Sequence, residues 1–173
     1  MSQQTENSMK KIFLSKVVLN MGVGKSGEPI EIGKKTLSQI TGKKPNIRNA
    51  KKSQRDWGIR KGEPIGVAVT VRNSDAVELL KRLLITKDNK INGRSIDNEG
   101  NISFGIKEHI DIPGIKYDPK IGILGLEVSV SLARSGFNIK LRSQQKSRIG
   151  KKHRISKNDT IKFLTENFGV QVV

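Results

Sequence analysis

Cysteine is absent from this 173-residue chain, which removes disulfides, thiolate zinc sites, iron–sulfur clusters and cysteine nucleophiles from consideration. Aromatic residues make up only 4%, with one Trp and one Tyr, and hydrophobic residues only 34%, below the roughly 45–50% of an ordinary globular domain. No run approaches the ~20 apolar residues of a membrane span, and the polar start, Met1 to Lys10, has no secretory apolar stretch. The expectation is a soluble intracellular protein of one domain, part of which lies against something else. Acids are scarce too: 16 Asp and Glu face 33 Lys and Arg, a formal charge of +17. Such a chain attracts polyanions, either nucleic acid or an anionic membrane surface.

The charge is concentrated in two blocks. Lys43, Lys44, Arg48, Lys51, Lys52, Arg55, Arg60 and Lys61 stand against the single acid Asp56. Arg134, Lys140, Arg142, Lys146, Arg148, Lys151, Lys152, Arg154 and Lys157 follow with no acid between Glu127 and Asp159. A short charge run is usually a solvated face. Two dense blocks on a core-poor chain favour nucleic acid, because self-repulsion opposes folding unless a polyanion neutralises it. Membrane binding is disfavoured, since neither block sets Leu, Trp or Phe opposite its charges at helical spacing.

Ile12 to Met21 reads as a strand buried on both faces, ending in the turn Gly22 to Gly27. Glu28 to Thr41 reads as a helix, with Pro29 in its first turn and Gly42 as its stop. Ile65 to Arg72 sets Ile65, Val67, Val69 and Val71 on one face and Gly66, Ala68, Thr70 and Arg72 on the other. Ser74 or Asp75 then caps a helix with Val77, Leu80 and Leu84 as its stripe, flanked by Leu79 and Leu83. Ile102 to Ile106 and Leu126 to Arg134 alternate as strands, separated by the Pro- and Gly-containing loop Ile110 to Leu124. Ser156 or Asn158 caps a last helix, with Ile161, Leu164 and Phe168 inward and Gly169 as stop. The order predicts an α+β fold, an antiparallel or mixed sheet with helices packed on one face, plus a basic loop and a basic C-terminal extension. The other face, with Thr70, Arg72, Ser129 and Ser131, is either simply solvated or a place where a polyanion backbone approaches closely.

Gly24-Lys25-Ser26 between strand and helix has the setting of a phosphate-binding loop, but the glycine required five residues earlier is Leu19. Nucleotide hydrolysis is the weakest reading. The turn with Lys25 can still hold a backbone phosphate. The two histidines, His109 and His153, lack metal-type partners and read as structural or phosphate-facing; Glu108 and Asp111 beside His109 fit a strand edge. Trp57, inside the first basic block, either stacks on an unpaired base or closes a small core of its own loop, the latter slightly favoured.

Lys16 to Gly24, Ile40 to Pro45 and Ile59 to Gly66, followed by Phe104 to His109 and Ile112-Pro113-Gly114, resemble in order the universal large-subunit ribosomal protein five family. Asp111 to Pro119 and Lys151-Lys152-His153-Arg154 are similar to its archaeal and eukaryotic form, the archaeal type being preferred. The resemblance implies a single ribosomal domain: a flexible stretch 1–10, a core over 10–134, a basic extension over 135–157, and a C-terminal helix and tail over 158–173. It implies no enzyme and no cofactor. The implied function is to bind 5S ribosomal RNA, anchor it in the central protuberance of the cytoplasmic large subunit, and extend a loop toward the P-site tRNA and the small-subunit head. Implied partners are 5S rRNA, large-subunit rRNA, P-site tRNA and neighbouring ribosomal proteins, one of them in the small-subunit head.

Family positions facing rRNA fall on Asn20, Thr70 and Lys43, where many relatives have Gln, so a charge replaces an amide there. Gly22, Gly24, Lys25, Lys44, Arg48 and Arg72 complete the expected rRNA site. Lys51, Lys52, Arg55, Trp57, Arg60 and Lys61 form the expected tRNA and subunit loop, a mobile arm. Arg142, Lys146, Arg148, Lys151, Lys152 and Arg154 form an extension expected to order only on rRNA. A general RNA-binding chaperone is the alternative.

Overall fold

The computed structural model describes residues 7–24, 27–115, 119 and 122–173. β1 (Ile12–Gly22) leads into α1 (Glu28–Thr41), β2 (Asn46–Asn49), β3 (Pro64–Val71) and α2 (Asn73–Ile85). The chain continues through β4 (Lys90–Ile91), β5 (Asn101–Ile106) and β6 (Leu126–Arg134) to α3 (Lys157–Phe168) and β7 (Gln171–Val172). Five strands form one sheet in the order β2-β3-β1-β6-β5, every neighbouring pair antiparallel. The short parallel pair β4-β7 ties the C-terminal segment to the stretch after α2. The α+β fold is therefore as expected, with the main sheet antiparallel rather than mixed.

One face of this sheet is core. Val17, Leu19 and Met21 of β1, Val67, Val69 and Val71 of β3, and Val128 and Val130 of β6 are fully buried in a single cluster with Ile30, Leu37 and Ile40 of α1. α2 adds Ala76, Leu79, Leu80, Leu83 and Leu84, the i, i+3, i+4, i+7, i+8 stripe of a helix lying on a sheet. α1 lies so close that a Cβ at Gly33 would meet Val67 Cγ2 at 3.0 Å.

Several details differ from the sequence reading. β1 is not buried on both faces: Val18 and Asn20 stay half exposed, because an antiparallel sheet covered by helices on one side leaves its other side open. On β3, Gly66 and Ala68 are buried although they share a face with the exposed Thr70; Ala68 is shadowed by Asn20 and Asn46 on the flanking strands. α2 is capped by neither Ser74 nor Asp75. It starts at Asn73, with φ 62, after Arg72 in an extended conformation, and the Ser74 hydroxyl donates to the Asp75 carboxylate at 3.2 Å. Ala76 takes the buried place assigned to Val77.

His109–Asp111 is a 3-10 turn rather than a strand edge. Within the following loop, residues 116–118, 120 and 121 lie outside the described residues. Ser8–Lys10, in the stretch read as flexible, forms a 3-10 turn capped by Asn7. α3 matches expectation at both ends: Ser156 and Asp159 form a reciprocal capping box and Gly169 adopts φ 65.

Candidate nucleic-acid interface

Strand register assigns the open face of the sheet. Asn20 stands between Ala68 of β3 and Glu127 of β6, and its Nδ2 donates to Glu127 Oε2 at 3.2 Å. In the next row Val18 lies between Thr70 and Ser129, with Ser103 beyond. Lys16 faces Ser131, with Asn101 beyond, in the row after that. At the opposite end Arg48 and Gly22 flank Gly66, and Asn46 flanks Ala68. The accessible floor is thus Val18, Thr70, Ser103, Ser129 and Ser131 around the Asn20–Glu127 pair, with Gly66 and Ala68 buried among them and Arg48 and Lys16 at its margins. Away from the Glu127 carboxylate, the short Ser and Thr side chains leave room for a phosphate backbone to approach the sheet. The expected residues Asn20, Gly22, Arg48 and Thr70 come together here. Lys16 and Asn46 join them, unassigned from sequence because only the pairing register places them on this face.

The other expected rRNA residues lie elsewhere. Lys43 Nζ is 2.7 Å from the Asp75 carboxylate, so its charge is directed to the first turn of α2, near the exposed Arg72. The hydrogen bond from Lys43, with a second from Ser74, holds the Asp75 carboxyl below its ordinary value. Lys44 lines a shallow groove of about 440 Å³ between α1 and β2, together with Lys34 and Lys35. The amides of Val23 and Gly24 both donate to the Ile65 carbonyl, at 3.0 and 2.9 Å, so neither is free for a phosphate. Lys25 lies outside the described residues.

Between β2 and β3 the chain doubles back as a hairpin arm. The Ala50 amide donates to the Glu63 carbonyl at 2.8 Å, Gly62 donates to the Ala50 carbonyl at 2.9 Å, and Gln54 and Ile59 exchange bonds of 2.8 and 3.0 Å. Side chains close the base: Lys61 N–H donates to Ser53 Oγ at 2.9 Å and Arg60 N–H to Glu63 Oε2 at 3.0 Å. Lys51, Lys52, Arg55, Arg60 and Lys61 are all exposed. Trp57 does not form a loop core. It is 74% exposed, because backbone hydrogen bonds already hold the arm together. Arm and sheet face are contiguous through β2 and β3, which carry both.

The basic extension folds back on the body in this structure. The Arg134 guanidinium donates to the carbonyls of His153 and Arg154 at 3.4 and 3.1 Å and pairs with Asp159 at 3.1 Å. Arg142 donates twice to the Gln145 carbonyl, at 2.9 and 2.7 Å, and Arg154 Nε donates to Ile149 O at 3.3 Å. Lys146, Arg148, Lys151 and Lys152 point no less outward for it: all four are exposed. Both histidines are structural. His109 is 1% exposed, and its Nδ1 accepts from the Leu124 amide at 3.3 Å, closing the loop. His153 Nε2 donates to the Ser135 carbonyl at 2.8 Å. Among the described residues no cluster of His, Asp and Glu could hold a metal ion, and no helix is long and apolar enough to cross a membrane.

Residues 7–60 match the family Ribosomal protein L5, and residues 64–163 match the C-terminus of the ribosomal L5 family. The chain belongs to the ribosomal protein L5 family. It is 63% identical to the large ribosomal subunit protein uL5 of Nitrosopumilus maritimus over 99% of both chains. With the uL5 proteins of Cenarchaeum symbiosum and Pyrobaculum aerophilum identity is 56% and 49%, each over 95% of this chain and over 98% and 92% of the relative. As an L5 family member the chain is a structural constituent of the large ribosomal subunit in the cytoplasm, and not an enzyme. The match at residues 7–60 ends within the arm and the second begins at Pro64, the first residue of β3, so the two together span the sheet and all of the arm but residues 61–63.

Proposed function

We propose that this L5 family protein binds 5S ribosomal RNA with the open face of its sheet and anchors it in the central protuberance, while the arm reaches the P-site tRNA and a protein of the small-subunit head. The observation that carries the reading is the sheet face itself: bare of helices, with Asn20 and Glu127 paired on it, the small polar Thr70, Ser129, Ser103 and Ser131 in the adjoining rows, and Arg48 and Lys16 at its borders. Recognition there rests on shape and sugar–phosphate contacts, with Asn20 and Thr70 setting register by hydrogen bonds. The exposed cations of the extension, Arg142, Lys146, Arg148, Lys151, Lys152 and Arg154, bind large-subunit rRNA around it.

Binding of the purified protein to 5S rRNA and to an unrelated RNA of equal length, across a salt series, tests this. A preference for 5S that persists as salt rises is expected, because a shaped site survives screening. Equal affinities falling together with a steep slope would instead mean that charge alone binds, as in a general RNA chaperone.

A further inference from the structure

The basic extension, between the end of β6 and the start of α3, lines with Glu99 an open-mouthed cavity of about 380 Å³. That is within the roughly 300–1,000 Å³ of small-ligand sites. Its lining is apolar where Phe137, Ile149 and the fully buried Ile155 meet, and cationic around them, with Lys140, Lys146, Arg148 and Arg154. The cations divide into two kinds. Lys140 Nζ pairs with Glu99 at 3.2 Å and Arg154 Nε donates to the Ile149 carbonyl, so both brace the wall. Lys146 and Arg148 are exposed and, among the described residues, their side chains have no hydrogen bond or ion pair. The Phe137 ring is set in place by a T-shaped contact with His153, centroids 5.8 Å apart and planes at 70°. His153 is fixed in turn by its bond to the Ser135 carbonyl.

We propose that this cavity receives one unpaired RNA nucleotide, its base against Phe137 and Ile149 and its flanking phosphates on Lys146 and Arg148. An inorganic phosphate would use the cations and leave the apolar lining without a purpose. An apolar peptide would use the lining and leave two unpaired cations at its mouth. A splayed-out nucleotide has both parts in one unit: a base with an apolar π-face, joined to an anion. The inference rests on the reading that the partner is RNA, and gives the extension a preference for unpaired bases that charge alone cannot supply.

The test compares full-length protein binding to a short oligoadenylate and to an abasic oligonucleotide of the same length and charge. The parent should bind the base-bearing strand about tenfold more tightly, the order expected of one stacked base. Phe137→Tyr should retain that preference. Phe137→Leu, and Ser147→Leu, which fills the cavity from an exposed position, should abolish it, with abasic affinity and circular dichroism unchanged. Equal affinities in the parent, or a preference that survives both leucine variants, would overturn the proposal. So would a preference that vanishes in Trp57→Leu but not in Phe137→Leu, or Ser147-dependent binding of phosphatidylglycerol vesicles in place of oligoadenylate. A 5S preference retained alongside equal oligonucleotide affinities would sink the cavity while leaving the 5S reading intact.

Discussion

Asn20 and Glu127 meet across β1 and β6 on the open face, where water reaches both. Truncating Asn20 therefore frees an exposed carboxylate rather than stranding a buried one, and the stability cost should stay within about 0.5 kcal/mol. Asn20→Ala should melt close to the parent yet bind 5S rRNA more weakly; equal affinity with the fold intact would remove Asn20 from the site. Gly66 behaves in the opposite way. A Cβ there would lie 2.8 Å from the Met21 carbonyl oxygen and 3.6 Å from the Gly22 Cα, both backbone, so β1 and β3 would have to separate. Gly66→Ala should destabilise by about 1–3 kcal/mol in denaturant unfolding. The alternation of Ile65 to Arg72 by itself sets Gly66 and Thr70 on one face. What it does not show is which strand lies beside them: Lys16 and Asn46 become part of the face only through the register of β1 and β2.

Elements whose ends are written in local chemistry are legible in the sequence. α1 has Pro29 at its start and Gly42, φ 65, at its end; α3 has Ser156, Asp159 and Gly169. The start of α2 is not legible, because Asn73 takes a left-handed conformation and Asp75 turns to Lys43, a partner distant in sequence. The α3 cap also gives a pH dependence. Burial raises the Asp159 carboxyl's pKa, but hydrogen bonds from Ser156 and the nearby Arg134 outweigh it and hold it below the ordinary 3.8. A carboxyl lowered on folding contributes stability that is fully present above that ordinary value and is lost as pH falls through the lowered one. Ser156→Ala should cost about 1 kcal/mol at neutral pH. Asp159→Asn should both lower neutral stability and flatten the acid limb of the unfolding curve below about pH 4. An acid limb as steep as the parent's would show that Asp159 is not its source.

The +17 chain divides its charge among three parts of the fold. Arg48 and Lys16 border the sheet face, the arm carries five exposed cations on a hydrogen-bonded hairpin, and the extension wraps the end near α3. Composition announces a polyanion partner; it cannot separate these surfaces, nor show that Lys43 is held by Asp75 and that Trp57 stands clear of any core. If arm and face are independent, neutralising Lys51, Lys52, Arg55 and Arg60 to Gln should leave the salt slope of 5S binding within about one unit of the parent's. The same variant should bind tRNA more weakly, with a slope reduced by about one for each cation that had met a phosphate. The hairpin should survive, because its bonds run through Ala50, Gln54, Ile59, Gly62 and Glu63 and use only backbone groups of Arg55 and Arg60. Collapse of 5S binding in this variant would mean that the arm and the sheet face, contiguous through β2 and β3, act on the same RNA as one surface.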